Sequence, residues 1–290
     1  MSRSIPASAG RRLAWICAGV LLAGCAAQVR NIEPRPGPLA GVLPADAEAR
    51  AEAVRRDPLA YLQQVLDNCR ELKQYTVLFT RYERRGLFPR LYGPEHIQCW
   101  FRRQPFSVRM KWLDPNVKHD ESTYVEGQEN NQVRFVTRRP VPLLVPPPGV
   151  NKVDLQTPVI WGESKRPLTH FGLERLMERT LESIKEAGQD VVISYAGLEQ
   201  LPETGATVHH LHLAYSPTRY RVPVQELYID VMTDLPAGTL LKLASGELDA
   251  AYFYADLKTD VQLTDEEFLL AGERESQVKR AGRQTKPAMR

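Results

Sequence analysis

Three histidines fall within four residues, His209-His210-Leu211-His212, and by spacing they are the side chains best placed for chemistry in this 290-residue chain. On a strand His210 and His212 share a face while His209 points the other way. Two imidazoles at i and i+2 can chelate a metal, but a site needs a third or fourth ligand. His96, His119 and His170 have no spacing that supplies one. His210 and His212 therefore stand as the candidate pair for a metal, with surface or cross-strand packing as the expected role. No metal and no cofactor is expected. Ser276 and Lys279 have the spacing of a Ser-x-x-Lys nucleophile, but they lie in a charged tail where nothing dries the lysine. Asp265-Glu266-Glu267 are consecutive and do not converge on one point, so they predict a solvated turn or helix start, not an acid/base pair. Gly-x-Ser-x-Gly, His-Glu-x-x-His, a phosphate-cradling glycine loop and Cys-x-x-Cys are absent from the sequence. With no catalytic residue to assign, the expectation is a protein that is not an enzyme.

The remaining chemistry belongs to cysteine. Arg11 and Arg12 precede an apolar run at residues 13–24, too short to span a bilayer comfortably, and the run ends in Leu22-Ala23-Gly24-Cys25. Small residues before Cys25 let the chain enter a peptidase site extended, and the thiol is the nucleophile that takes a diacylglyceryl group. The stretch resembles a bacterial lipobox, which implies a signal peptide at residues 1–24 and a membrane anchor on Cys25. Several acyl chains on one cysteine hold firmly, at roughly 0.8 kcal/mol per buried methylene. Ala26 stands where an Asp tends to retain Gram-negative lipoproteins at the inner membrane, so the resemblance favours the outer membrane, facing the periplasm. Export puts Cys69 and Cys99 in an oxidising compartment. A disulfide between them would contribute about 3 to 4 kcal/mol in the chain-entropy model; the alternative is two buried thiols. The bridge is the expectation.

Composition sets the class. The chain is 43% hydrophobic and 25% charged, as in a globular protein. Its 38 basic residues exceed its 35 acidic ones only through Arg3, Arg11 and Arg12 of the signal segment. A mature chain of zero net charge in an exported compartment excludes nucleic acid as the main partner.

Residues 26–44 are rich in Pro and Gly and read as a tether, followed by a polar helix at 45–56, so that residues 25–56 hold the domain off the membrane. Asp57-Pro58 marks a helix start, and Leu59, Leu62, Val65, Leu66, Cys69 and Leu72 give that helix one apolar face. The period then changes to two. Strands are predicted at 75–85, 97–103, 106–112, 122–125 and 132–137, then a proline-rich crossing at 140–149. Thr169 is the predicted cap of a second helix carrying Leu173, Leu176, Met177, Leu181 and Ile184, stopped by Gly188. Further strands follow at 191–195, 206–215, 224–232, 239–243 and 250–259, and residues 273–290 form a charged tail predicted to be disordered. One domain at 57–272 suffices. Arg81, Arg84, Arg85, Arg90, Arg102, Arg103, Arg109 and Lys111 concentrate in the early strands with aromatics between them, and read as a solvated outer face or a contact for anionic lipid or cell-wall polymer.

Two stretches carry a family resemblance. Tyr75-Thr76-Val77-Leu78-Phe79 after a helix, Arg102 to Trp112 with its Pro105-Phe106 pair, and Val125-Glu126-Gly127 are similar to the strand pattern of lipoprotein-localisation proteins of the LolA/LolB-like type. Leu227 to Asp230, Leu235-Pro236 and Tyr252-Phe253-Tyr254 resemble that family's closing strands. With Tyr75 to Glu83, Pro105-Phe106-Ser107-Val108 and Phe171-Gly172-Leu173, the chain is similar to a bacterial family catalogued as domain of unknown function 1571. The resemblance implies an α+β fold: a single strongly curved antiparallel sheet, an open half-barrel, with two amphipathic helices on its concave side. If the helices leave space, an apolar pocket results, and Leu62, Val65, Leu66, Val108, Met110, Leu176, Met177 and Leu181 are its expected lining. The implied function is non-enzymatic binding of a lipid, an acylated protein or another hydrophobic envelope component. The alternative is a structural or sensing envelope module with a filled core.

Overall fold

The alternation that begins at Tyr75 carries one long antiparallel sheet. In the computed structural model, which describes residues 43–138 and 149–274, the strands are β1 (Gln74–Arg85), β2 (Arg90–Arg102), β3 (Ser107–Trp112), β4 (His119–Val125), β5 (Val133–Thr137), β6 (Asn151–Val153), β7 (Val191–Leu201), β8 (Ala206–Tyr215), β9 (Val224–Asp230), β10 (Pro236–Lys242) and β11 (Leu248–Lys258). Their order is β6-β5-β4-β3-β2-β1-β11-β10-β9-β8-β7. The chain thus meanders outward from β1, crosses to the far edge, and meanders back until β11 pairs with β1, for example Phe79 with Tyr254. β6 and β7 remain edges, so the sheet is not closed. β2 starts seven residues before the expected position, because residues 90–96 continue the ladder against β1 after a register shift.

Four helices accompany the sheet among the described residues: α1 (Ala47–Arg56), α2 (Pro58–Glu71), α3 (Thr157–Ile160) and α4 (Leu173–Ala187). Asp57 caps α2, its carboxylate accepting from the Ala60 N–H at 2.9 Å, and Pro58 occupies the first turn, where its missing donor costs nothing. Thr169 does not cap α4; it lies in a 3-10 turn, and the helix begins four residues later. The residue before the helix is Gly172, at φ +127°, where a Cβ would meet the Phe101 ring and the Tyr75 hydroxyl at 3.3 Å. The Tyr75 hydroxyl itself accepts from the Leu173 N–H at 3.2 Å, doing from the sheet what a Thr cap does locally. Gly188, at φ +56°, ends α4 as expected.

One face of the sheet, bearing Tyr75, Val77, Ile97, Cys99, Val108, Leu211 and Leu227, packs against Leu62, Val65 and Leu66 of α2 and Leu173, Leu176 and Met177 of α4 in a single apolar cluster. α1 is less polar in context than in sequence: Ala47, Ala51 and Val54 are buried, and Arg50 donates to the Val231 carbonyl at 3.0 Å.

On the opposite face the C-terminal segment lies across β3, β4 and β5. Thr123 donates to the Phe268 carbonyl at 2.8 Å, Arg109 pairs with Glu121 at 2.8 Å, and Arg134 pairs with Glu273 at 2.6 Å. Glu273 and Arg274, placed in the tail from composition, are therefore bonded to the body. The basic concentration of the early strands is a solvated face only at Arg90 and Lys111, which are exposed. Arg81 and Arg109 are buried, and Arg81, Arg84, Arg85, Arg102, Arg103 and Arg109 each have a carboxylate partner. Residues 1–42, 139–148 and 275–290, with the signal peptide, Cys25, most of the tether, most of the proline crossing and the Ser276/Lys279 pair, lie outside the described residues. No helix among the described residues is long and apolar enough to cross a membrane.

Candidate functional site: an apolar cleft with charged walls

The helices fill only part of the sheet's inner face. Beyond Phe79 on β1, the cover passes to the connection that follows β6, residues 154–172, and between that connection and the sheet lies a cleft with about 1010 Å³ of free space, counting its open mouth. Met110 and Trp112 of β3, Val133 and Phe135 of β5, and Tyr252 and Tyr254 of β11 form the floor. Pro158, Trp161, Pro167, Leu168 and Phe171 form the roof. The aromatic rings are in mutual contact. Phe79 stacks on Tyr254 and on Tyr252 at 5.3 and 5.8 Å between centroids, and meets Phe171 edge-on at 5.3 Å. Such pairs contribute about 0.5 to 1.5 kcal/mol each beyond their burial.

A belt of buried charge fixes the roof to the sheet. Arg81 donates to Glu95 at 2.5 Å, and the Trp112 indole N–H donates to the same carboxylate at 3.1 Å. Arg85 bonds both Glu95 and the Glu163 carbonyl. Glu83 accepts from the Tyr252 hydroxyl at 2.8 Å and from the Lys165 N–H at 3.3 Å, and the Lys165 ammonium reaches Asp249. Glu163 takes Lys118 and, at 3.2 Å, His119. Burial pushes the Glu95 carboxyl up, but Arg81 and Arg85 outweigh it and leave the group at about 2. Glu163 is held at about 2 in the same way, burial opposing and the hydrogen bonds from His119 and Lys118 prevailing.

The mouth carries exposed apolar groups. Ile160 and Trp161 stand out at the roof's edge, and Leu87 and Phe88 project from the β1–β2 turn beside them. The two tips touch through glycines: a Cβ on Gly162 would meet the Gly86 Cα at 3.2 Å.

Of the lining expected from sequence, Met110 alone lies on the cleft. Leu62, Val65, Leu66, Val108, Leu176 and Met177 are buried in the packed core, and Leu181 is packed against it. The correction has a simple cause. α2 and α4 lie against each other and seal the sheet beneath them, so their apolar faces have no space to line. Cys69 and Cys99 are free thiols in that same core, not the expected bridge. Burial pushes Cys69 up to about 12 and Cys99 well above its ordinary value.

His210 and His212 do share a face, as strand geometry requires, and both find carboxylates. His210 Nδ1 lies 2.9 Å from Glu199 and its Nε2 lies 2.9 Å from Glu226, while His212 Nδ1 is 2.9 Å from Glu226. The ring nitrogens of His210 are thus committed to hydrogen bonds, and among the described residues no group of three His, Cys, Asp or Glu side chains is disposed to hold a metal. His209 turns inward to the Tyr195 hydroxyl at 3.0 Å.

Sequence reasoning missed the roof. Residues 154–172 have neither a helical nor a strand period, and α3 is a single turn. The available signal was compositional: Pro158, Trp161, Pro167, Leu168 and Phe171 give this connection more apolar bulk than a solvated loop carries.

No curated protein matches this sequence. Among solved structures, the chain is similar to MucB at 15% identity and TM-score 0.45, over 75% of this chain and 64% of that one. It is similar to the MucA/MucB complex of Pseudomonas aeruginosa at 14% identity and TM-score 0.42, over 74% and 61%. It thus spans just under two thirds of these two chains. Mycobacterium tuberculosis lipoprotein LppX is similar at 10% identity and TM-score 0.41, over 72% of this chain and 100% of that one. The family model described as "Protein of unknown function (DUF1571)" matches residues 72–274, a span that holds the whole sheet and the cleft, and the chain belongs to that family.

Proposed function

We propose that this protein is an envelope lipoprotein that binds a lipid or an acyl group in the cleft and catalyses no reaction on it. The observation that carries the reading is the cleft itself: aromatic and aliphatic walls around free space, in a molecule whose remaining inner face is tightly packed. The exposed Ile160, Trp161, Leu87 and Phe88 at its mouth support it, because apolar groups at an entrance lower the cost of moving a chain out of a bilayer. Cys25 is the lipidated residue in this reading, the proline-rich segment is the tether, and the domain faces the periplasm, at the outer membrane in preference to the inner. The ligand is a lipid or the acyl chain of another protein.

Native mass spectrometry of the full-length protein, extracted from membranes in mild detergent, tests the reading. Co-purified masses that extraction identifies as acyl lipids are the expected result, and Trp161→Ala should lower their occupancy without changing the thermal midpoint. A clean apo mass that stays clean on incubation with lipid would sink the reading. Labelling with radioactive palmitate, lost in Cys25→Ser, tests the anchor separately.

A further inference from the structure

The charges around the cleft do not balance. Its carboxylates are Glu83 and Glu163, and both are already satisfied: Glu83 by Tyr252, the Lys165 N–H and the nearby Arg81 and Arg85, Glu163 by Lys118 and His119. Arg81 is consumed by Glu95. Two guanidiniums on the lining, Arg166 and Arg179, have no carboxylate partner among the described residues. Among the described residues Arg179 donates only to the His170 carbonyl, at 3.0 Å, which uses a small part of its donor fork.

These cations repel one another as well. Arg179 is held below its ordinary range, first by burial and then by Arg166 and, more weakly, Arg175, and His170 is depressed by burial, Arg179 and Arg166. Arg175 has its own partner in Glu178 at 2.7 Å, so the uncompensated excess lies with Arg166 and Arg179. Arg179, half-buried, and Arg166, exposed at the rim, stand on the lining of an apolar cleft, and together they form a receptor for an anion that brings its own apolar body. The planar donor fork of Arg suits carboxylate and phosphate alike.

We propose that the ligand of the cleft is an anionic amphiphile, with its acyl chain between the aromatic floor and roof and its carboxylate or phosphate held by Arg166 and Arg179. This rests on the reading of the cleft as a lipid site and adds the headgroup to it. A neutral acyl chain would fill the same space and leave both cations unpaired.

The test is a competition read by native mass spectrometry on the full-length protein in nonionic detergent. Palmitic acid, 1-palmitoyl lysophosphatidic acid and 1-monopalmitoyl glycerol share one acyl chain and differ at the head. The anionic adducts should exceed the monoglyceride adduct by about tenfold or more, the worth of a charge-assisted hydrogen bond in a partly buried site. The Arg166→Gln/Arg179→Gln double variant should bring the ratio near one through loss of the anionic adducts, with the monoglyceride adduct still detected. Arg175→Gln should leave the preference intact. The ratio of the two anionic adducts tells carboxylate from phosphate. Equal binding of all three in the unmodified protein, or a preference that survives the double variant, would overturn the headgroup proposal and leave the cleft reading standing. No adduct with any probe would overturn both.

Discussion

The hydroxyl of Tyr75, at the start of β1, accepts a hydrogen bond from the N–H of Leu173, the first residue of α4, across 98 positions of sequence. It is buried there, stacked on Phe101 at 4.6 Å, and burial pushes its own ionisation well above the ordinary value. The bond ties the helix that closes the core to the strand on which the cleft begins.

Tyr75→Phe should therefore cost about 1 to 2 kcal/mol, the usual penalty for a buried donor left without its acceptor. The ring packing is kept, so the loss measures the hydroxyl. Urea denaturation gives the number, and an unchanged midpoint would show that the α4 N–H finds another acceptor.

Glu95 sits between Arg81, Arg85 and the Trp112 indole with 7% of its side chain exposed. Glu95→Gln removes the charge that compensates buried Arg81 and half-buried Arg85, and breaking a buried pair from one side costs about 3 to 5 kcal/mol. The roof loses its Arg85 link with it, so lipid occupancy should fall together with the thermal midpoint. A variant as stable as the parent would mean that the arginines re-pair with Glu83.

Acid should unfold the protein through these same carboxylates. Glu95, Glu163 and Glu226 are each held at about 2 in the fold, against about 4.3 for an unfolded glutamate. Their stabilisation is complete above the unfolded value and is lost as pH falls from about 4.3 toward 2. Chemical denaturation at pH 6, 4 and 3 should show stability dropping most steeply between pH 4 and pH 3. A flat profile would contradict the depressed values.

His210 has the opposite sign. Burial opposes its charge, yet the hydrogen bonds to Glu226 and Glu199 prevail and raise its pKa. Its stabilisation is present below about 6.5 and is lost as pH rises through the folded value. The parent should thus lose stability between pH 6 and pH 9, and His210→Gln should lose less over the same interval. Equal pH dependence in the two would show that His210 is neutral in the fold.

Cys69 and Cys99 should resist alkylation in the native protein at pH 8, because burial keeps both as thiols and the thiolate is the reactive form. After denaturation without reductant, both should react with iodoacetamide and show up as two added groups by mass. Failure to label in the denatured state would reveal a disulfide.

The strand alternation of residues 75–85 and 106–112, the apolar stripe of α2, the Asp57-Pro58 start and the Gly188 stop were all legible, because each is a local pattern read against a known period. They suffice for one antiparallel sheet with helices on it. The cleft was not legible, and for a physical reason. An apolar stripe shows that a face is buried, not what buries it. Leu62 and Met177 are covered by each other's helix, while Phe79, Trp112 and Tyr254 are covered by an aperiodic connection that no local rule identifies. Pairing of charge is equally nonlocal. Arg81 and Glu95 are 14 residues apart and Arg134 and Glu273 are 139 apart, so sequence displays a basic cluster where the fold holds buried ion pairs. What the chain determined by itself was the period and the ends of its elements. Which faces meet, which arginines are left without an acid, and where space remains were decided only when the sheet brought distant residues together.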